Sequence, residues 1–224
     1  MVKHRLFLAA PDGVARDAFR ARVLAEVGPV AARGLRALSV DLVDATPAVP
    51  PWQRPGEAAA TGEPEFDAVL DMWGEGGAID DALAAAAPLV AGAPRASVRV
   101  IETVEKDELP RPTGRVAPGV KFISLMTFRA DLPEAAARRL WAHHAGLALR
   151  VHLGMARYVR DWVTTGFDAV PTFHGIAELH FPSVEAMMTR WFDSEAGRAA
   201  IIHDVGHFLE RATRLYTTEH VLKA

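Results

Sequence analysis

The chain states one pattern twice, and that constrains its fold more than any other feature. Val2-Lys3 opens a short apolar run, and Val120-Lys121 opens another of the same kind. Phe66-Asp67-Ala68-Val69-Leu70-Asp71-Met72-Trp73 reads against Phe173-His174-Gly175-Ile176-Ala177-Glu178-Leu179-His180, and Val100-Ile101-Glu102-Thr103-Val104 against Thr217-Thr218-Glu219-His220-Val221. An internal repeat has to be settled before other inferences, because it decides the architecture. The reading is of a diverged unit at 1–104, a linker at 105–119 and a second unit at 120–224. The halves differ in chemistry. Of nine histidines, only His4 precedes residue 140, so the second half reads as the bearer of function.

Periodicity supplies the elements of that second half. Lys121–Phe128 is rich in β-branched and aromatic residues and predicts a strand. Asp131, Pro133 and Glu134 suit a helix start, and Ala136, Leu140, Leu147 and Val151 recur at helical spacing to about Leu153. Tyr158–Val163 predicts a strand and 164–172 a loop. The alternating Phe173–Phe181 predicts a strand, and Ser183 opens helical structure, broken near Asp193–Gly197, that runs to about Ala212. Leu215–Leu222 predicts the closing strand. The order is βαββαβ, the ferredoxin-like unit. The first half repeats it with strands near Arg5–Ala9, Leu38–Val43, Phe66–Trp73 and Ser97–Val104, and helices near Val14–Ala32 and Ile79–Val90. Two such units solve the problem of their bare sheet faces by closing an α+β barrel within one chain. A long proline-rich connection, Asp44–Glu65 with Trp52, is read as a lid over one barrel end.

Composition excludes several classes. A net charge of −3 with scattered arginines gives no footprint for nucleic acid. No run is long and apolar enough for a membrane span, and no signal-peptide pattern opens the chain, so a cytoplasmic location is expected. Without cysteine there are no disulfides and no thiolate chemistry. There is no Gly-x-Gly-x-x-Gly, no phosphate loop and no Gly-x-Ser-x-Gly elbow; Gly74-Glu75-Gly76-Gly77 reads as a turn.

Strand parity nominates a site. Side chains alternate, so Gly175, Ala177, Leu179 and Phe181 share the face predicted to pack on helices with Phe173, while His174, Ile176, Glu178 and His180 share the other. If that face lines the barrel, His174 and His180 form an acid/base pair with Glu178 orienting one of them; otherwise it faces solvent or an interface. The first copy has Asp67, Val69, Asp71 and Trp73 there. Tyr158, Arg160 and Trp162 are assigned to the interior as well, opposite the apolar Leu38, Val40 and Leu42, which is the mixture usual for small-molecule pockets. His144 lies on the apolar stripe of its helix, beside Trp141 and the more exposed His143. Two readings stand for it: a buried histidine satisfied by a backbone carbonyl, or a group at the pocket mouth. Of Glu219 and His220, one faces inward. His203 and His207 are four apart, but with no third ligand in view no metal site is expected.

The second half resembles the EthD-domain proteins of the dimeric α+β barrel superfamily. The resemblance rests on the Val120-Lys121-Phe122-Ile123 strand, the helical Trp141-to-His144 segment, Met155-Ala156-Arg157-Tyr158-Val159, the Gly175-to-Leu179 strand and Glu219-His220-Val221. The family spaces its helical Trp and His four apart, whereas Trp141 and His144 are three apart. The resemblance implies the barrel fold strongly and activity weakly. The superfamily includes cofactor-free dehydratases, cyclases, isomerases and oxygenases. The expectation is therefore a cofactor-independent enzyme of secondary or catabolic small-molecule metabolism, leaning to a lyase, cyclase or isomerase. Its substrate is small, hydrophobic or aromatic, and oxygenated. His174, His180, Glu178 and His144 are its catalytic candidates; Tyr158, Trp162, Trp141 and His220 are its substrate-binding ones. The rivals are a non-catalytic accessory protein and a cofactor-free or haem-dependent oxygenase. No nucleic-acid or membrane partner is expected, and a homodimer of such barrels is left open.

Overall fold

The computed structural model describes residues 1–46, 51, 65–167 and 173–224. Its elements follow the order β1 (Val2–Leu8), α1 (Arg16–Arg22), a π-helical turn (Val23–Val27), α2 (Gly28–Ala31), β2 (Ala37–Asp44), β3 (Ala68–Gly74), α3 (Gly76–Ala86), a 3-10 turn (Ala87–Val90) and β4 (Pro94–Asp107). Then come β5 (Arg115–Val116), β6 (Val120–Phe128), α4 (Glu134–Val151), β7 (Arg157–Phe167), β8 (Gly175–Phe181), α5 (Val184–Thr189), α6 (Glu195–Val205) and β9 (Leu209–Lys223).

All strand pairs are antiparallel, and the sheet runs β2-β3-β1-β4-β7-β8-β6-β9 before returning to β2, so eight strands close a barrel with β5 added beside β9. The halves join edge to edge at β4–β7 and at β2–β9. Closure therefore comes from ladder hydrogen bonds as well as from facing side chains, and it removes the open edges that a flat sheet exposes. No helix among the described residues is long and apolar enough to cross a membrane.

Strand alternation divides the side chains into three layers. Leu6, Leu8, Leu38, Val40, Leu70 and Met72 point outward and pack under α1, the π-helical turn, α2 and α3 through Phe19, Val27, Ala31, Ile79 and Ala82. In the second half Ala177, Leu179 and Phe181 point outward and meet Trp141, Ala145 and Ala148 of α4 and Met187 of α5. The inward residues form the third layer, apolar at one end of the barrel, where Phe7, Phe66, Val69, Ile123, Phe173 and Ile176 cluster. Gly175 permits the tight approach of α4: a Cβ there would lie 2.7 Å from the Trp141 ring.

Several sequence-based boundaries move. The helix expected to reach about Ala212 stops at Val205, and β9 begins at Leu209, because β9 must reach β6 before turning to β2. β7 continues past Val163 to Phe167 by pairing with a long β4, which itself runs on to Asp107. The break near 193–197 is present, with Ser194 capping α6 through its side chain. The lid expected at Asp44–Glu65 falls mainly on positions outside the described residues.

Candidate functional site

The barrel interior beyond its apolar end holds a network of buried ions. Lys3 Nζ contacts Asp161 at 2.7 Å, Glu178 at 2.8 Å and Glu102 at 2.9 Å. Lys121 Nζ contacts Asp41 at 2.8 Å, Glu178 at 2.9 Å, Asp71 at 3.2 Å and Glu219 at 3.4 Å. Between them Arg5 grips Asp71 with two bonds of 2.7 and 3.0 Å and reaches Asp161 and Glu178. Burial alone would strip the lysines of charge, but the carboxylates around them reverse this and hold both above the ordinary lysine range. Burial pushes Asp41 and Asp161 up to about 7, whereas the cations hold Glu178 and Glu219 well below the usual carboxylate range against their own burial.

His180 is part of this network. Arg157, which can only donate, lies 3.2 Å from its Nε2, and Glu178 lies 3.3 Å from the same nitrogen. Burial lowers His180 to about 4. The ring is thus neutral near pH 7, with Nε2 set between the Arg157 guanidinium and the Glu178 carboxylate. The side chains of this network are almost wholly buried, so this stretch of the barrel lumen, expected to be the pocket, is filled by an ionic core.

A cavity among the described residues lies between the outer face of the second-half sheet and helices α4 and α6. Its volume is about 120 Å³, and its wall is mostly apolar, with Phe122, Met126, Leu179, Trp191 and Phe208 among the residues that line it. Trp141, His144 and Ala148 of α4 line it, because positions three and four apart share one helical face, and so does His152, the residue that caps that helix. His144 Nδ1 lies 2.7 Å from Asp204 Oδ2 of α6. Burial lowers the His144 pKa and the Asp204 bond partly restores it. A carboxylate only accepts, so Nδ1 carries the proton and Nε2 keeps its lone pair. His152 Nδ1 lies 2.5 Å from the Trp191 carbonyl oxygen, and burial lowers this ring to about 4. Tyr158 lines the cavity with its hydroxyl bonded to Trp141, and burial raises its pKa.

These positions rearrange the candidates named from sequence. His144, Trp141 and Tyr158 come together at the cavity, and Trp162 packs beside it, stacked on Phe128 at 5.1 Å and covered by Arg138 at 4.2 Å. The interior assignment of Tyr158 and Trp162 is corrected: Tyr158 pairs with Leu179 and Val159 with Glu178, and cross-strand partners share a face. Glu178 and His180 do face inward, but His174 does not join them. It precedes β8, its Nδ1 accepts from the Phe128 N–H at 3.1 Å, and its ring stacks on Phe128. Six residues of extended chain, about 20 Å, separate it from His180. Phe173, expected on the helix side, instead plugs the apolar end of the barrel, 5.5 Å from Phe7. Glu219 is the inward member of its pair, held by Arg111 and near Lys121; His220 is half-buried on the other face, near Asp44 and Arg20. His203 and His207 face each other at 3.4 Å on the surface, and no group of three metal-ligating side chains occurs among the described residues.

Sequence reasoning passed over Asp204 and His152. Their signals were present: His152 is eight residues, two near-whole turns, after His144, and Asp204 sits inside the His203–His207 segment, where the histidines drew attention instead.

Residues 129–212, less than half of the chain, match the EthD domain family, and that span contains α4, β7, β8, α5 and α6 and so the His144–Asp204 pair. No curated protein matches. Among solved structures, an anthrone oxidase-like protein has a TM-score of 0.61 at 11% identity, with 100% of this chain and 94% of that one covered. A protein named as a monooxygenase from Fusobacterium nucleatum subsp. nucleatum has a TM-score of 0.57 at 8% identity, with 99% and 91% covered. Chlorite dismutase from Candidatus Nitrospira defluvii, in complex with imidazole, has a TM-score of 0.56 at 11% identity, with 99% and 91% covered. At such identities the likeness is one of fold, the dimeric α+β barrel type.

Proposed function

We propose that the protein is an enzyme that removes a proton from a small hydrophobic or aromatic, oxygenated molecule held in the cavity against α4, with His144 as general base. The observation that carries this reading is the His144–Asp204 pair on the wall of an apolar cavity. A carboxylate on Nδ1 fixes the ring orientation, leaves Nε2 as the base and stabilises the imidazolium formed when the proton arrives. The Tyr158 hydroxyl is the group placed to bind the substrate oxygen, and Trp141 supplies apolar wall.

In this reading Nε2 takes a proton from a C–H or O–H acidified by a neighbouring carbonyl or aromatic ring. The electron pair stays on the substrate as an enolate or phenolate. That anion has four outlets: loss of a hydroxyl group as water, attack on a carbonyl of the same molecule, reprotonation at another carbon, or transfer of its electrons to dioxygen. The names of the similar structures favour the last outlet over the dehydratase, cyclase and isomerase types expected from sequence. A haem does not fit the site: a cavity of about 120 Å³ is on the scale of one small ring, and a porphyrin has four pyrrole rings. The deciding experiment incubates the protein with hydroxylated aromatic compounds under air and under argon, following product and oxygen uptake. Turnover that His144→Gln leaves intact would sink the proposal, and oxygen-independent turnover would move it to the lyase and isomerase outlets. Binding without turnover by either protein would favour the accessory-protein reading.

We also infer that the two halves are diverged copies of one ferredoxin-like unit, divided as 1–104 and 120–224. Support comes from the ion network, in which Lys3 meets Asp161, Glu178 and Glu102 while Lys121, its counterpart in the repeat, meets Asp41, Asp71 and Glu219. In the sequence alignment of the halves those acids correspond one to one, and each lysine draws on the opposite half for two of them.

A further inference from the structure

The second histidine of the cavity has a fixed tautomer, and that tautomer restricts the ligand. The Trp191 carbonyl accepts and cannot donate, so Nδ1 of His152 must carry the single proton of the neutral ring. The ring is neutral at ordinary pH because burial lowers it to about 4. Its Nε2 then presents a lone pair. The rings of Trp191 and Phe192 lie against the imidazole at 5.5 and 5.4 Å.

His144 lies on α4 and His152 caps its C-terminus eight residues later, about 12 Å along the axis at 1.5 Å per residue. The two lone pairs thus approach the same cavity from separate places along the helix. Resting on the reading of His144 as base, we propose that His152 is a specificity-determining residue whose Nε2 accepts a hydrogen bond from a second hydroxyl of the ligand. The preferred substrate class is then a single aromatic ring, or one ring of a larger system, bearing two hydroxyl donors. An aromatic with one hydroxyl leaves His152 unsatisfied, and a methyl ether in place of the second hydroxyl sets acceptor against acceptor.

The test measures binding, by tryptophan fluorescence or calorimetry, of phenol, resorcinol, hydroquinone, 3-methoxyphenol and 4-methoxyphenol to the full chain. The better diol should bind about five- to tenfold tighter than phenol and than its own monomethyl ether, the gain of one neutral hydrogen bond in a buried site. His152→Phe keeps the ring shape but removes the acceptor, and should erase that preference. His144→Gln should abolish turnover yet keep the preference, so the two proposals fail separately. Equal binding of diol and ether to the native protein, a preference that survives His152→Phe, or binding of none of the five compounds would each overturn the inference. Should His152→Phe fail to fold, the diol-against-ether comparison on the native protein decides alone.

Discussion

The barrel lumen and the cavity under α4 are built on opposite principles. The lumen concentrates charge: Lys3, Arg5 and Lys121 are surrounded by carboxylates from β2, β3, β7, β8 and β9, and the side chains are almost wholly buried. The cavity has an apolar wall and its two histidines are neutral, each with one nitrogen already engaged. A dense polar cluster is therefore not the same thing as a reactive one. In the lumen the charges face one another. In the cavity the wall is mostly apolar, and each of the two histidines has one nitrogen engaged and one lone pair left for a visitor.

The sharpest test of this contrast is loss of activity. His144→Gln should reduce turnover by 10²–10⁴-fold, the range for a positioned base, equivalent to about 2.7–5.4 kcal/mol, while thermal unfolding stays close to native. The acid limb of the activity profile should lie below the ordinary imidazole value, since burial lowers His144, and the base works only while unprotonated. Asp204→Asn removes an influence that raises this pKa, so the limb should move to still lower pH as the rate falls. A limb moving upward would break the assignment of Asp204.

The lumen should answer in stability instead. Lys121→Met leaves Asp41, Asp71, Glu178 and Glu219 around a neutral side chain. It should cost about 3–5 kcal/mol, as expected when one partner of a buried ion pair is removed, read from urea denaturation. Turnover per folded molecule should hold within about twofold. A large loss of turnover with little loss of stability would make the lumen the site after all.

A smaller effect belongs to His180. Its folded pKa of about 4 lies below the unfolded value near 6.5, so below pH 6.5 the unfolded chain takes up a proton that the folded one refuses. Its contribution is complete above that value and lost as pH falls toward 4. Native protein should therefore lose stability relative to His180→Gln across that window, by on the order of 2–3 kcal/mol. Parallel stability curves would show that His180 is not held neutral by the network. Smallest of all, His174→Ala should cost about 1 kcal/mol for the bond from the Phe128 N–H and change turnover by less than about threefold. A loss of 10² there would restore His174 as an acid/base group.

The barrel was legible in the sequence because its strands carry period-two alternation, which a local pattern can show. The outward and inward faces of β8 were readable from Ala177, Leu179 and Phe181 against Glu178 and His180. β7 was misread because Tyr158, Arg160 and Trp162 look like pocket residues, and only pairing with β8 fixes which way they point. The site was half legible for a similar reason. His144, Trp141 and Tyr158 were named, yet the space they share is formed by α6 folding over the sheet, which a local pattern cannot express. Asp204 joins His144 across 60 residues, and nothing within either helix announces it.

The β2–β9 ladder also governs how the chain reaches its fold. Leu38 and Lys223 are register partners, so the last seam of the barrel is the one with the greatest loop to close. Until β9 settles, β2 and β6 both present open edges, and Lys121 lacks Glu219. Contacts this distant in sequence form slowly, and unpaired strand edges are where partly folded chains stick to one another. Yield on refolding should thus depend on protein concentration far more than native stability would indicate, with the β9 seam as the step that commits the molecule.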